Sequence, residues 1–162
     1  MTIKVGERIP EATLYRMGEQ GIDALQTTDL VKGRKVVIFG LPAAFSGTCS
    51  SAHLPSFMRT HAGFADKGVE DVYCVSVNDA FTMAAWDKDT GAGAAGVTLL
   101  ADPKGDLTKA LGMLFDFPPA GLFARSMRYA LVAEDGVVTH LNMEVDGGVC
   151  ELTAGESLLE TL

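Results

Sequence analysis

Cysteine is scarce in this chain: only three occur among 162 residues, at widely separated positions. A small secreted domain held together by disulfides needs an even and denser set, so the count excludes that class and suits a reducing compartment. No apolar run approaches the roughly 20 residues that a membrane-spanning helix requires. The first residues also lack the charged-then-apolar pattern of a secretory signal. We therefore expect a cytoplasmic protein that does not enter a membrane.

Positive charge is also in short supply, with 13 lysines and arginines against 21 aspartates and glutamates, a net charge of −8. This balance disfavours nucleic acid and anionic membrane surfaces as partners, because both are themselves negatively charged. Apolar residues make up 48% of the chain, which is enough for one hydrophobic core. Without a repeat, a low-complexity linker or a convincing boundary, residues 1–162 are predicted to form a single domain.

Apolar runs typical of buried strands alternate with helical stretches along the chain. Five strands are predicted, at 35–39, 71–77, 97–101, 128–133 and 137–143. Predicted helices at 50–67 and 80–88 separate the first three strands, which gives the β-α-β-α-β order of parallel strands. The last two strands are separated only by Glu134-Asp135-Gly136, which is a hairpin pattern. The sequence therefore predicts an α/β fold with a mixed central sheet flanked by helices.

Capping patterns predict two further helices. Asp102-Pro103 before an apolar helical stripe indicates a cap and a first-turn proline, with the helix ending near Gly112. Thr153 and Glu156 have the spacing of a capping box before a short last helix. Residues 91–96 match G-x-G-x-x-G, but a predicted helix precedes them and a strand follows, which reverses the order of a dinucleotide site. We expect a loop there.

Two other features allow more than one interpretation. His53 stands four residues after Cys49, as two metal ligands on one helical face would, but only His61 and His140 remain to complete a site. Neither has a zinc-like spacing, so we expect no metal and a solvent-facing or interface position for His53.

Residues 115–123 are rich in phenylalanine and proline without clear periodicity. They form either a binding or subunit surface or a loop folded over the core.

Cys49 is the residue whose position most strongly suggests chemistry. It follows the apolar run 36–39 through a turn rich in small residues and opens a predicted helix. The free N–H groups and the positive end of a helix dipole stabilise an anion there, which favours the thiolate. Ala52 stands where a C-x-x-C disulfide oxidoreductase has its second cysteine, so that class is excluded.

A lone activated thiolate attacks either a carbonyl group or the O–O bond of a peroxide. A cysteine hydrolase needs a histidine base beside the sulfur, whereas small hydroxyl and apolar residues surround Cys49 in the sequence. Attack on a peroxide needs no general base once the sulfur is already a thiolate. It needs hydrogen-bond donors fixed near the departing oxygen, where negative charge grows.

The run Pro42-x-x-x-Ser46-x-x-Cys49 resembles the peroxiredoxin signature P-x-x-x-[TS]-x-x-C. Further residues narrow the resemblance to the type II or peroxiredoxin 5 group: Phe45, Thr48, His53-Leu54-Pro55 and Phe57. More segments match that group in the expected order, so that the resemblance covers nearly the whole chain: 75–81, 101–105, 128–130 and 135–136.

The resemblance implies a thioredoxin-like three-layer fold and a thiol-dependent peroxidase that reduces hydrogen peroxide and alkyl hydroperoxides, without a metal, haem or flavin. Cys49 matches the peroxidatic cysteine, whose thiolate becomes a sulfenic acid. Pro42 matches the proline that shields the sulfur, and Ser46 the hydroxyl residue that holds the peroxide. Arg128 matches the arginine beside the thiolate, a role that suits a permanently charged group with several donors. Arg125 is a weaker candidate for a supporting charge.

The resemblance leaves the return of the sulfenic acid to thiol open. Cys150 resembles the resolving cysteine of animal peroxiredoxin 5 and is favoured because its segment has few apolar anchors. Cys74 matches a cysteine of plant and animal members, but it lies in a predicted buried strand. In a one-cysteine cycle, thioredoxin, glutaredoxin or glutathione reduces the sulfenic acid directly. A homodimer is implied, and a peroxide sensor that oxidises a partner protein is the alternative function.

Overall fold

The computed structural model describes residues 1–146 and 148–162. The strands are β1 (Thr13–Gly18), β2 (Gly21–Gln26), β3 (Lys35–Gly40), β4 (Asp71–Ser76), β5 (Val97–Ala101), β6 (Leu114–Phe117), β7 (Leu122–Ser126), β8 (Tyr129–Glu134) and β9 (Val137–Met143). The α-helices are α1 (Thr27–Val31), α2 (Leu54–Asp66), α3 (Ala80–Thr90), α4 (Asp106–Ala110) and α5 (Gly155–Leu159). A π-helical turn covers Cys49–His53, and a 3-10 turn covers Pro118–Ala120.

Seven strands form one sheet in the order β2-β1-β5-β4-β3-β8-β9, and β6 pairs with β7 in a separate two-stranded sheet. The central strands β3, β4 and β5 run parallel, whereas β8 is antiparallel to β3 and to β9. The predicted mixed sheet with its parallel centre and terminal hairpin is therefore confirmed. In the described part of the chain, no helix has the length and apolar character needed to cross a membrane.

Alternation of side chains along the strands divides the core between the two faces of the sheet. Val37 and Phe39 of β3 point to one face, where they pack with α2, α3 and α5. Val36 and Ile38 point to the other face, towards α1 and α4. This arrangement gives the three layers that the resemblance implied. Cys49 belongs to the first cluster.

The predicted helix 50–67 consists of two parts with different hydrogen bonding. In the π turn the Leu54 N–H donates to the Cys49 carbonyl, and regular α-helix follows. Pro55 stands in the first turn of α2 and has no N–H, so a regular helical bond from this residue to Ser51 cannot form. The proline therefore explains why the wider turn is tolerated here.

Two predicted capping patterns are wrong in detail. Helix α4 begins at Asp106, so neither Asp102 nor Pro103 belongs to its first turn. The Asp102 carboxylate lies in the preceding turn and accepts hydrogen bonds from the Leu107 and Thr108 N–H groups. The N-cap of α5 is Ala154, so the predicted capping box does not form. Its Glu156 carboxylate instead pairs with Arg59 of α2 at 2.6 Å. The loop predicted at 91–96 is confirmed, with Gly91 ending α3 in a left-handed conformation.

Candidate active site

The candidate site lies at the carboxyl end of β3, where a turn over residues 41–48 leads into the π turn. Phe45 has a left-handed φ of 65°, an uncommon conformation for a large residue. The Ser46 hydroxyl donates to the Ala43 carbonyl at 2.9 Å, and the Ser50 N–H donates to the Ser46 carbonyl at 2.9 Å. Cys49 follows as the first residue of the π turn and is fully buried. The turn thus holds the sulfur at the end of a central strand.

Arg128 reaches this sulfur because of how β8 pairs with β3. The strands are antiparallel, and their last pair joins Gly40 to Tyr129, so the start of β8 lies beside the end of β3. Arg128 directly precedes β8 and is only 2% exposed. Its Nη2 donates to Cys49 Sγ at 3.3 Å. A permanently charged donor therefore faces the thiol inside the protein.

His53 is not at the solvent or at an interface, as expected from the sequence, but fully buried behind Arg128. Arg128 Nη1 lies 3.0 Å from His53 Nδ1, and His53 Nε2 lies 3.1 Å from the Thr153 carbonyl oxygen. The ring also packs against Phe39 and Phe57, with ring centroids 5.0 and 5.7 Å away. Burial, and secondly the charge of Arg128, lower the pKa of His53 to about 3, so the ring is neutral.

This histidine is a poor base for a hydrolase. Its Nδ1 accepts from a guanidinium, and a pKa of about 3 leaves little tendency to take a proton from a thiol. Sequence reasoning missed its place in the site because both of its partners are distant along the chain. The available signal was its spacing from Cys49, which puts the two residues in one helical turn.

A pocket of about 300 Å³ opens next to the buried sulfur. Polar groups of Ser46, Thr48 and Arg128 line it together with Pro42. The hairpin formed by β6 and β7 contributes apolar side chains to the lining, among them Phe115, Phe117 and Leu122. The structure thus brings Pro42, Ser46 and Arg128 together around one cavity beside Cys49.

Cys74 and Cys150 differ in their access to Cys49. All three cysteines are free. Cys74 lies in β4, fully buried, and burial raises the pKa of its thiol well above the ordinary value. Cys150 is half-buried, with Sγ 3.8 Å from Thr153 Oγ1, and burial raises the pKa of its thiol as well. Cys150 is therefore the more accessible of the two thiols.

Arg125 and the aromatic segment lie beside the site. Arg125 Nη1 donates to the Val77 carbonyl at 2.6 Å, an interaction that does not involve the sulfur. The aromatic residues of the segment belong to the β6–β7 hairpin, where Phe117 and Phe123 are 49% and 61% exposed. The hairpin is therefore not folded over the core.

Across residues 1–146 and 148–162, no group of three histidine, cysteine or acidic side chains is arranged to hold a metal.

The Redoxin family model matches residues 4–158. The chain is 44% identical to "Peroxiredoxin-2E-2, chloroplastic" from Oryza sativa subsp. japonica, with 99% of this chain and 73% of that protein covered. It superposes with a TM-score of 0.91 on reduced Prx3 in complex with hydrogen peroxide from Vibrio vulnificus, at 38% identity and 99% coverage of each chain. For peroxiredoxin 5 from Alvinella pompejana the TM-score is 0.83, at 30% identity with 98% of this chain and 97% of that chain covered.

These similarities extend over nearly the full length of the chain, and the structural neighbours confirm the thioredoxin-like fold that the sequence motifs implied. In this chain the sulfur of Cys49 accepts a hydrogen bond from Arg128, and a pocket opens beside it. The chain belongs to the peroxiredoxin family of thiol peroxidases.

Proposed function

We propose that Cys49 is the peroxidatic cysteine and that the enzyme reduces hydrogen peroxide and alkyl hydroperoxides. The observation that carries this assignment is the 3.3 Å contact between Arg128 Nη2 and Cys49 Sγ inside the protein. A guanidinium there favours the thiolate over the thiol. The thiolate gives an electron pair to one peroxide oxygen, the O–O bond breaks, and the departing oxygen takes up a proton to leave as water or an alcohol. Cys49 is left as a sulfenic acid.

Ser46 and Pro42 support this step from the wall of the pocket. The Ser46 hydroxyl bonds its own turn at Ala43, so the turn orients it, and its oxygen keeps lone pairs for a peroxide O–H. Serine lacks the methyl group of threonine, and its hydroxyl has more rotamer freedom. We therefore expect slower chemistry than with threonine at this position, not its loss. Pro42 has no N–H and limits the water that reaches the sulfur.

The lining of the pocket supports organic peroxides as substrates in addition to hydrogen peroxide. Arg128 and Ser46 lie at its polar part, while Phe115, Phe117 and Leu122 offer apolar surface for an alkyl chain. A pocket of about 300 Å³ is larger than hydrogen peroxide requires. The alkyl group of a small organic hydroperoxide fits such a space with its peroxide end towards the sulfur.

Cys150 is the better candidate for resolving cysteine. It is half-buried, whereas Cys74 is fully buried in a central strand and so is less accessible for thiol exchange. The Cys150 thiol attacks the sulfenic sulfur of Cys49, a disulfide forms and water leaves. Thioredoxin, glutaredoxin or glutathione then reduces the disulfide by thiol exchange. The cytoplasmic location expected from the sequence stays a prediction.

We also propose that the enzyme works as a homodimer. Four phenylalanine side chains, one in the turn before Cys49, one in α3 and two in the β6–β7 hairpin, are 49% or more exposed: Phe45, Phe81, Phe117 and Phe123. Scattered single residues would need no explanation, but four phenylalanines on neighbouring elements suit a second copy of the chain. The oligomeric state of Phe123→Asp, measured by light scattering against the unmodified protein, tests this proposal. A monomeric unmodified protein contradicts it.

Steady-state consumption of peroxide with thioredoxin, glutaredoxin or glutathione as reductant tests the catalytic assignment. We expect many turnovers with at least one of them, and none with Cys49→Ser. A peroxide sensor would instead consume little beyond one equivalent.

Mass spectrometry after one equivalent of peroxide should show a disulfide between Cys49 and Cys150, with Cys74→Ser as the matched control that keeps it. A stable sulfenic acid or a glutathione adduct would favour the one-cysteine cycle.

A further inference from the structure

We propose that Glu144 is a positioning residue that fixes the segment next to Cys150 and thereby limits how fast Cys150 reaches the oxidised Cys49. The inference rests on the proposed role of Cys150 as resolving cysteine. The peroxide step assigns no role to Glu144, although this acidic residue is only 5% exposed.

Glu144 is attached to the central sheet. It directly follows β9, and its backbone N–H donates to the Arg128 carbonyl at 3.1 Å. A buried carboxylate without partners would be costly. Across residues 1–146 and 148–162, no lysine or arginine forms an ion pair with it. The carboxylate therefore depends on neutral hydrogen-bond donors.

These donors come from residues 151–153, which directly follow Cys150. The Glu144 carboxylate accepts from the Glu151 N–H at 3.2 Å, the Leu152 N–H at 2.8 Å, the Thr153 N–H at 3.3 Å and the Thr153 hydroxyl at 3.2 Å. Successive N–H groups in a turn form a concave site for an anion. Hydrogen bonds to an ionised acceptor are also about twice as strong as neutral ones. The carboxylate thus anchors this segment to the sheet.

In the anchored position Cys150 is not directed at the reactive sulfur. Its Sγ lies 3.8 Å from Thr153 Oγ1, whereas Cys49 Sγ is fully buried and accepts a hydrogen bond from Arg128. Among the described residues, Asp146 and Gly148 line the pocket beside Cys49, but Cys150 does not. A disulfide requires Cβ atoms about 3.5 to 4.5 Å apart. Its formation therefore calls for a shift of the segment, which strains or breaks the bonds to Glu144.

The anchor matters after peroxide has oxidised Cys49. The Cys150 thiolate attacks the sulfenic sulfur, the S–S bond forms and the S–O bond breaks; the departing hydroxide takes up the proton that Cys150 released and leaves as water. While the segment stays on Glu144, the sulfenic acid persists, and a second peroxide can oxidise it to sulfinic acid. The strength of the anchor therefore sets the ratio of disulfide to sulfinic acid.

The experiment compares Glu144→Gln and Glu144→Asp with the unmodified enzyme. Glutamine keeps the size but loses the charge, and its NH₂ cannot accept from an N–H. Aspartate keeps the charge but is one methylene shorter. We expect both variants to speed alkylation of Cys150 by iodoacetamide in the reduced enzyme by about 10-fold, as for the loss of a hydrogen bond to a charged group. Cys74, fully buried in β4, should stay as slow as before; a parallel rise at Cys74 would indicate general loosening and overturn the inference.

The same variants should form the disulfide between Cys49 and Cys150 about 10-fold faster after one equivalent of hydrogen peroxide, as followed by mass spectrometry of quenched samples. The yield of sulfinic acid at excess peroxide should fall. Unchanged or slower alkylation of Cys150 would overturn the inference. If the unmodified enzyme forms no such disulfide, the proposed resolving role of Cys150 fails instead, and the alkylation rates still decide whether Glu144 holds the segment.

Glu151→Gln is the matched control for charge. Burial chiefly, and to a smaller extent the charge of Glu144, raise the pKa of the Cys150 thiol, so loss of a nearby charge could itself speed alkylation. Glu151→Gln removes a charge beside Cys150 but keeps the backbone N–H that bonds Glu144. Equal acceleration in Glu151→Gln and Glu144→Gln, with none in Glu144→Asp, would overturn the inference. Should the Glu144 variants not fold, hydrogen exchange of the unmodified enzyme decides: the Leu152 and Thr153 amides should lose protection in the disulfide form, and retained protection contradicts the proposal.

Discussion

Acid should destabilise this enzyme in a way that depends on His53. In the folded protein the pKa of this side chain is about 3, with burial as the main cause and Arg128 as the second, against 6.5 for a solvated histidine. As the pH falls below 6.5, the unfolded chain takes up a proton at this position and the folded protein does not. The unfolded state therefore gains stability as the pH falls from 6.5 towards 3. Above pH 6.5 the histidine is neutral in both the folded and the unfolded state, so it causes no loss of stability there.

The size of the effect follows from the difference between the two pKa values. The slope is about 1.4 kcal/mol per pH unit inside the window, so the free energy of unfolding should drop by about 2.5 kcal/mol between pH 7 and pH 4.5 through this group alone. Against a typical total of about 5 to 15 kcal/mol, such a loss is readily measured. Carboxylates also titrate in this range, but they are common to the protein and to a variant without the histidine.

Urea unfolding at a series of pH values measures the effect. Trp86, the only tryptophan, is fully buried and donates from Nε1 to Ser50 Oγ at 3.0 Å, so its fluorescence reports unfolding near the site. His53→Gln has no group that titrates at this position. The difference in free energy of unfolding between the two proteins should therefore change by about 2.5 kcal/mol between pH 7 and pH 4.5. Parallel losses in both proteins would refute the reasoning that His53 is buried and neutral.

Three further substitutions test the site and its support. Cys49→Ser should abolish peroxide turnover, and turnover that persists would remove Cys49 from its proposed role. Arg128→Ala should slow the peroxide step and move the pH profile of Cys49 alkylation to higher pH, because the substitution removes the positive charge beside the sulfur. Arg125→Ala is the control, since the Arg125 guanidinium donates to the Val77 carbonyl and not to the sulfur. Gly40→Ala should destabilise the fold by about 3 kcal/mol or more, since a methyl group there meets the Tyr129 ring; an unchanged melting temperature would contradict this packing.

The centre of the fold was predictable from sequence because its strands are buried on both faces. Strand β4 is buried from its second residue to its last, and such strands have continuous apolar runs. The β1–β2 hairpin was not predicted. Most of β2 is exposed, so its residues show no apolar alternation. Strands β6 and β7 were missed for a similar reason, since most of their residues are also exposed or partly exposed and they pair only with each other.

The buried position of His53 could not be derived from local sequence. Periodicity places it in a helical turn with Cys49, which is correct. Its burial, however, depends on Arg128 and Thr153, which lie 75 and 100 residues further along the chain. When the partners of a histidine are unknown, a surface position is the natural prediction, because burying a polar group without a hydrogen bond costs free energy. Long-range pairing therefore decides this residue.

The pairing of β3 with β8 is the long-range feature on which the site depends most. Six residue pairs join these strands, and the two faces of the sheet alternate along them. Ala130 and Val132 share the face of the sheet on which Cys49 lies, and continuing that alternation by one step places Arg128 on the same face. A register slip of one residue would turn the arginine to the opposite face, away from the sulfur. Gly40 accommodates the Tyr129 ring at the last pair, so this glycine helps to hold the register that brings Arg128 to Cys49.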